Sequence, residues 1–173
     1  MRGAVSNASP LIYLAKAGKI DLLKTVFRHV FITEEVKVEV VDKGKLLGEK
    51  DAYVIENAIS EGWIKVLATE LVEIPIMLDK GEEAALSLAK KQKLNIVLVD
   101  EDLARSAAKL LGLTPRGTLS VLLEALKRKE IKFDEFLEIL EDLINQGFRL
   151  REEVYVETVK EARKIAAESD TQS

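Results

Sequence analysis

Asp100 closes the short apolar run Asn95-Ile96-Val97-Leu98-Val99, and two more carboxylates, Glu101 and Asp102, follow it directly. The run is rich in Val and Ile and has no polar face, so it reads as a strand buried on both sides. Leu103, Ala107, Ala108, Leu110 and Leu111 then recur with helical spacing. In parallel α/β sheets ligands bind beyond the carboxyl ends of the strands, where Asp100 stands in this reading. Clustered carboxylates repel one another unless a cation neutralises them, and oxygen-only donors suit a hard divalent ion. Glu101 and Asp102 have an ordinary role open to them, because acidic residues favour the positive N-terminus of a helix. Asp100, as the last residue of a buried strand, is the better candidate for chemistry.

Three other stretches place an amide or an acid where the same crevice should lie. Asn7 ends the short strand Ala4-Val5-Ser6, Glu39 lies close to the Val36–Val40 face of a helix, and Glu82 opens a helix behind Gly81. Each has a plain alternative: Glu39 as a solvated helix position, Glu82 as a helix-dipole residue. Acids far apart in sequence that a fold gathers point to a metal site more strongly as a set than singly. His29 is the only histidine and there is no cysteine, so hydrolytic chemistry has to be run by carboxylates and metal.

The 173 residues suffice for one domain with a core, or for a domain with helical appendages. Without cysteine there is no disulfide framework, and a reducing cytoplasm is the natural setting. A net charge of −4 and a pI near 5.3 give no broad basic footprint, although a local basic rim would be enough for nucleic acid. No apolar stretch is long enough for a membrane span, and the N-terminus lacks a signal-peptide pattern. Glu- and Lys-rich helices are compatible with a thermophilic source.

Ser9-Pro10 is an N-cap and first-turn pattern for a helix carrying Leu11, Ile12, Leu14 and Ala15. A second short helix follows, then a strand over 29–32, and Thr33 caps a helix over 34–42. Gly44 and Gly48 bracket a basic connector before a helix over 51–60. Residues 63–67 form a strand interrupted by Lys65 and so in part an edge, and the segment to Ile76 reads as a loop. After the Ala/Leu-rich helix ending near Gln92 and the strand before Asp100 come a helix over 101–111 and a very short fifth strand at Leu113-Thr114-Pro115. Helices over 119–129, 133–145 and 152–168 complete the chain, with a frayed end over 169–173. The alternation predicts an α/β fold: a three-layer α/β/α sandwich with a mainly parallel central sheet of four to five strands, the Asp100 strand at its centre, plus C-terminal helices. The main domain spans 1–150, with 151–173 a C-terminal helix and tail packed on it.

The run Val5-Ser6-Asn7-Ala8-Ser9-Pro10-Leu11-Ile12 resembles the opening of PIN domains, in particular an archaeal and bacterial PIN-like branch once described only as a family of unknown function. Leu78-Asp79-Lys80-Gly81-Glu82-Glu83-Ala84-Ala85, Val99-Asp100-Glu101-Asp102-Leu103-Ala104-Arg105 and Arg116-Gly117-Thr118-Leu119 match in order and spacing, and Gly147-Phe148-Arg149-Leu150 resembles that branch's C-terminal motif. The resemblance implies a metal-dependent ribonuclease acting on single-stranded RNA, often the toxin of a toxin–antitoxin pair and often a homodimer. It also implies a Mg2+ or Mn2+ site on Asn7, Glu39, Glu82 and Asp100, with Asp102 a fifth member, and with Ser9 and Thr118 lining the pocket. Arg105 and Arg116 are the candidates for phosphate contacts, their plain alternative being surface charge balance.

Asn7 departs from the family pattern, which has Asp there. An amide offers one neutral oxygen, can still coordinate, and cannot act as a base. The alternative is therefore a catalytically weak or inactive PIN-like module that binds RNA or a protein. Other classes fit less well. A signalling receiver needs an aspartate pair after its first strand, a dinucleotide-binding module needs G-x-G-x-x-G, and a Ser–His–Asp hydrolase would have to use His29, within the apolar second strand.

Overall fold

The computed structural model describes residues 3–171. Five three-residue strands form one sheet: β1 (Ala4–Ser6), β2 (Val30–Ile32), β3 (Ile64–Val66), β4 (Ile96–Leu98) and β5 (Thr114–Arg116). Their order is β3-β2-β1-β4-β5 and every pairing is parallel. The centre of the sheet is β1, with β4 beside it, which corrects the expectation that the Asp100 strand is central. Lys65 lies on the edge strand β3, where its exposed charge blunts further pairing.

Parallel strands need crossovers, and helices supply them. Between β1 and β2 lie α1 (Ala8–Lys16) and α2 (Asp21–Phe27). A helical stretch over residues 34–46 and then α5 (Lys50–Glu61) lead to β3. Returning across the sheet, α6 (Lys80–Gln92) precedes β4, and α7 (Asp102–Leu110) joins β4 to β5. With right-handed crossovers, the reversal of direction at β1 sends α6 and α7 to the opposite face from α1, α2 and α5. Register agrees. Val5, Phe31 and Val97 stand side by side and share one buried cluster with Leu86, Leu88 and Ala89 of α6 and Ala104 and Ala107 of α7. One residue along each strand, Ala4, Val30, Ile32 and Leu98 point to the other face and are equally buried.

The stretch over 34–46 is not one regular helix. It runs as α3 (Glu34–Lys37), a π-helical turn (Val38–Lys43) and α4 (Gly44–Leu46). The Thr33 hydroxyl opens it by accepting from Val36 N–H at 3.2 Å. Gly44 belongs to this helix and not to a connector, because α5 packs so close that a β-carbon there would come within 2.7 Å of Ala52 Cβ. The segment from residue 71 to 79 also departs from a plain loop. Its residues alternate in exposure, with Ile74, Ile76 and Leu78 packed on the α6–α7 side of the core.

The chain divides into two compact units, one running to Thr118 and one from Leu119. The second holds most of α8 (Thr118–Lys127), α9 (Phe133–Asn145) and α10 (Glu152–Thr171). The boundary expected at residue 150 falls between α9 and α10, which pack on each other inside that unit. Residues 169–171, expected to fray, are helical, and residues 172 and 173 lie outside the described residues. Among the described residues no helix is long and apolar enough to cross a membrane.

Leu98 is fully buried in β4 and also fixes the strand that precedes Asp100. Leu98→Ala is expected to lower the unfolding free energy by about 2–5 kcal/mol, read from urea denaturation. A loss under about 1 kcal/mol would contradict the packing described here.

Candidate functional site

Strand order reverses between β1 and β4, since the chain leaves β1 towards β2 and later leaves β4 towards β5. A crevice opens at the carboxyl ends of strands at such a point. Asn7 follows β1 there, and its backbone N–H donates to Leu98 O at 2.9 Å, tying it to β4. Asp100 follows β4, two residues beyond Leu98.

Asn7, not Ser9, is the N-cap of α1, so the helix begins earlier than the Ser-Pro pattern predicts. An N-cap asparagine ordinarily accepts from the first turn of its helix. Asn7 makes no such bond: its Oδ1 is buried without a hydrogen-bond partner. The oxygen points towards Gly81. A β-carbon built on Gly81 would lie 3.4 Å from Asn7 Oδ1, 3.5 Å from Glu39 Oε2 and 3.6 Å from Asp79 Oδ1. Glu39 reaches this place from the π-helical turn, whose widened winding re-aims its side chains.

Asp79 and Glu82 form a full capping box at the start of α6. Glu82 N–H donates to Asp79 Oδ1 at 2.7 Å, and Asp79 N–H donates to Glu82 Oε1 at 3.1 Å. Glu82 is also buried. Burial raises its pKa, and the Asp79 and Glu101 charges add to the rise, while the bond from Asp79 N–H opposes it. Glu39 stands exposed, yet the atoms packed about its carboxylate raise its pKa, the Asp79 charge adds to this, and Lys43 opposes it.

Asp100 is held differently. Thr118 N–H donates to its Oδ1 and the Thr118 hydroxyl donates to its Oδ2, both at 2.7 Å. Burial still raises the Asp100 pKa. The Thr118 bonds and Arg105 oppose the rise, and the Glu101 charge adds to it. Arg105 Nη1 donates to Val99 O at 3.3 Å, which turns this arginine inward beside Asp100. A β-carbon on Gly117 would lie 3.0 Å from Asp100 Oδ1 and 3.2 Å from Arg105 Nη1, so only glycine lets both side chains approach the backbone there.

The structure thus brings Asn7 and Glu39 together over Gly81, adjoins Glu82 to them through Asp79, and joins Asp100 to Thr118 and Arg105. Ser9 is half-buried in the first turn of α1, and Arg116 is exposed at the end of β5. Asp102 is exposed at the start of α7, whereas the charge felt by both Glu82 and Asp100 is that of Glu101. Sequence reasoning passed over Asp79, although Asp79-x-x-Glu82 has the spacing of a capping box.

The donors fit a hard divalent cation: they are oxygens, their carboxylates are reluctant to ionise without a counter-charge, and a buried amide oxygen is orphaned among them. Among the described residues no three His, Cys, Asp or Glu side chains form a group able to hold an ion by themselves. Any such set needs Asn7.

A parallel α/β domain with acids gathered at its switch point belongs to the acidic, metal-using class of α/β folds. A PIN-domain family model matches residues 3–164, nearly the whole chain, and the chain belongs to the PIN-domain family, a nuclease-type fold. PIN domains generally use divalent metal ions. No curated protein and no solved structure matches the chain.

Because its pKa is raised in the folded state, Asp100 destabilises the fold as pH climbs from the ordinary carboxylate range through the raised value. The Thr118 hydroxyl favours the ionised form. Thr118→Val is therefore expected to cost about 1–3 kcal/mol at pH 7. The loss should be smaller near about pH 4.5, where more of the carboxyl is protonated. Urea unfolding at the two pH values checks this, and equal losses would contradict it.

Proposed function

We propose that the chain is a Mg2+- or Mn2+-dependent endoribonuclease acting on single-stranded RNA. The observation that carries this reading is the orphaned Asn7 Oδ1, held among carboxylate oxygens at the switch point. Asn7, Glu39, Glu82 and Asp100 would hold the metal, with Asp102 at the outer edge. When bound, a divalent ion supplies Lewis-acid polarisation of the phosphodiester. The remaining work falls to the chain. Thr118 keeps both Asp100 oxygens oriented, and Arg105 balances the Asp100 charge from within. Arg116, exposed beyond β5, is placed to meet a phosphate, and Ser9 lines the wall next to Asn7. Asn7 has no proton to accept, so it can ligate and orient but cannot serve as a base.

The toxin role, with an antitoxin protein as partner, the homodimer and the cytoplasmic setting belong to the same proposal. Their support is the family resemblance alone.

Addition of Mn2+ is expected to raise the melting temperature at pH 7, with chelation reversing it, and to switch on cleavage of a single-stranded RNA. Asn7→Asp adds a negative charge at the orphaned position. It is expected to raise Mn2+ affinity by about tenfold, as one charged ligand typically does through roughly 1.4 kcal/mol, and to increase cleavage. Native protein that binds Mn2+ without cutting RNA, combined with no gain from Asn7→Asp, would favour the RNA- or protein-binding module.

A further inference from the structure

Asp79 lies outside the ligand set that the family resemblance implies, and its place in the fold explains itself as an N-cap. Two observations give it a second task. The first is the shape of the site over Gly81. Three side-chain oxygens, from Asn7, Glu39 and Asp79, surround the point where any other residue would carry its β-carbon, at 3.4, 3.5 and 3.6 Å. The second is independent of the acids: Asn7 is 8% exposed, makes no cap bond, and aims an unpartnered oxygen at that same point. A buried acceptor left unpaired costs roughly 1–3 kcal/mol, and a cation beside it removes that cost.

We propose that the open face of Gly81 is the seat of one divalent cation, and that Asp79 ligates it together with Asn7 and Glu39. The inference rests on the metal-dependent reading above and sharpens it. The seat comprises two carboxylates from α6 and the π-helical turn and one amide from the end of β1, with Asp100 outside it. Both Asp100 oxygens are already occupied by Thr118. Mg2+ suits donors set this far from the centre of the seat, because it dehydrates reluctantly and keeps several of its waters. Glycine is required at residue 81 for the space it leaves. A methyl group would meet the three oxygens at ordinary contact distances, so the ion-free fold accepts alanine while the ion loses its place.

Isothermal titration of Mn2+ into the full chain tests this, using the native protein, Gly81→Ala and Asp79→Asn. Asparagine caps a helix about as well as aspartate, so Asp79→Asn keeps the bond from Glu82 N–H while removing the charge. Both variants are expected to unfold cooperatively without metal and to bind Mn2+ at least about tenfold more weakly than the native chain. Native-like affinity in both, alongside clear binding by the native protein, would overturn the Gly81 seat and leave the metal-dependent reading standing. No binding by the native protein would overturn both.

Discussion

Like charges converging on one sheet edge are the constraint from which the rest of this structure follows. Five parallel strands all point their carboxyl ends the same way, and the reversal between β1 and β4 opens a gap at that edge. Into it the chain delivers a run of neighbouring acids: Glu39 feels Asp79, Glu82 feels Asp79 and Glu101, and Asp100 feels Glu101. The cations that oppose these shifts stand at the two ends, Lys43 beside Glu39 and Arg105 beside Asp100. Each acid is also partly removed from water, so the repulsion is not screened away as it would be on an open surface. A divalent ion in the middle of the run relieves what the two end cations leave.

The fold handles the two halves of this edge in opposite ways. Asp100 is fully engaged, with two hydrogen bonds from Thr118 and a guanidinium behind it, so its carboxylate is oriented in the absence of any ligand. Asn7 is left incomplete, with a cap bond forgone and an acceptor buried without a partner. Local rules are broken where function needs them broken. An aspartate at position 7 would add a further charge to the row of repelling acids. The amide keeps an oxygen donor in place without that electrostatic cost and holds the ion less strongly. Stability of the ion-free chain and strength of ion binding are therefore set against each other at one residue.

Much of the fold was legible because its strands are short, buried and bounded by turn chemistry. The alternation of apolar runs with helical periods gave five strands, Thr33 announced its helix by capping, and Lys65 marked an edge. The site was legible in part, since Asn7, Glu39, Glu82 and Asp100 stand out as polar residues at element ends. Asp79 hid behind an ordinary capping role. The π-helical turn was not legible either, because Val38-Glu39-Val40-Val41 fits a regular helix equally well by spacing. Its wider winding takes shape only as residues 38–46 pack against α5, with Gly44 against Ala52. The period-two pattern of residues 71–79 was also missed, since Pro75 and scattered acids obscure an extended segment that pairs with no strand.

Local chemistry settled what each segment is. Apolar period, cap residues and glycine positions are properties of a few neighbouring residues, and so are the absence of cysteine and the supply of carboxylates. What those carboxylates do together depends on distances between residues tens of positions apart, which only strand order and register fix. That β1, and not β4, lies at the centre, that Asn7 turns from its own helix towards Gly81, and that Thr118 claims both oxygens of Asp100 were decided by the tertiary structure. The physical reason is that burial and mutual charge, which give these groups their character, arise only when the chain brings them to one place.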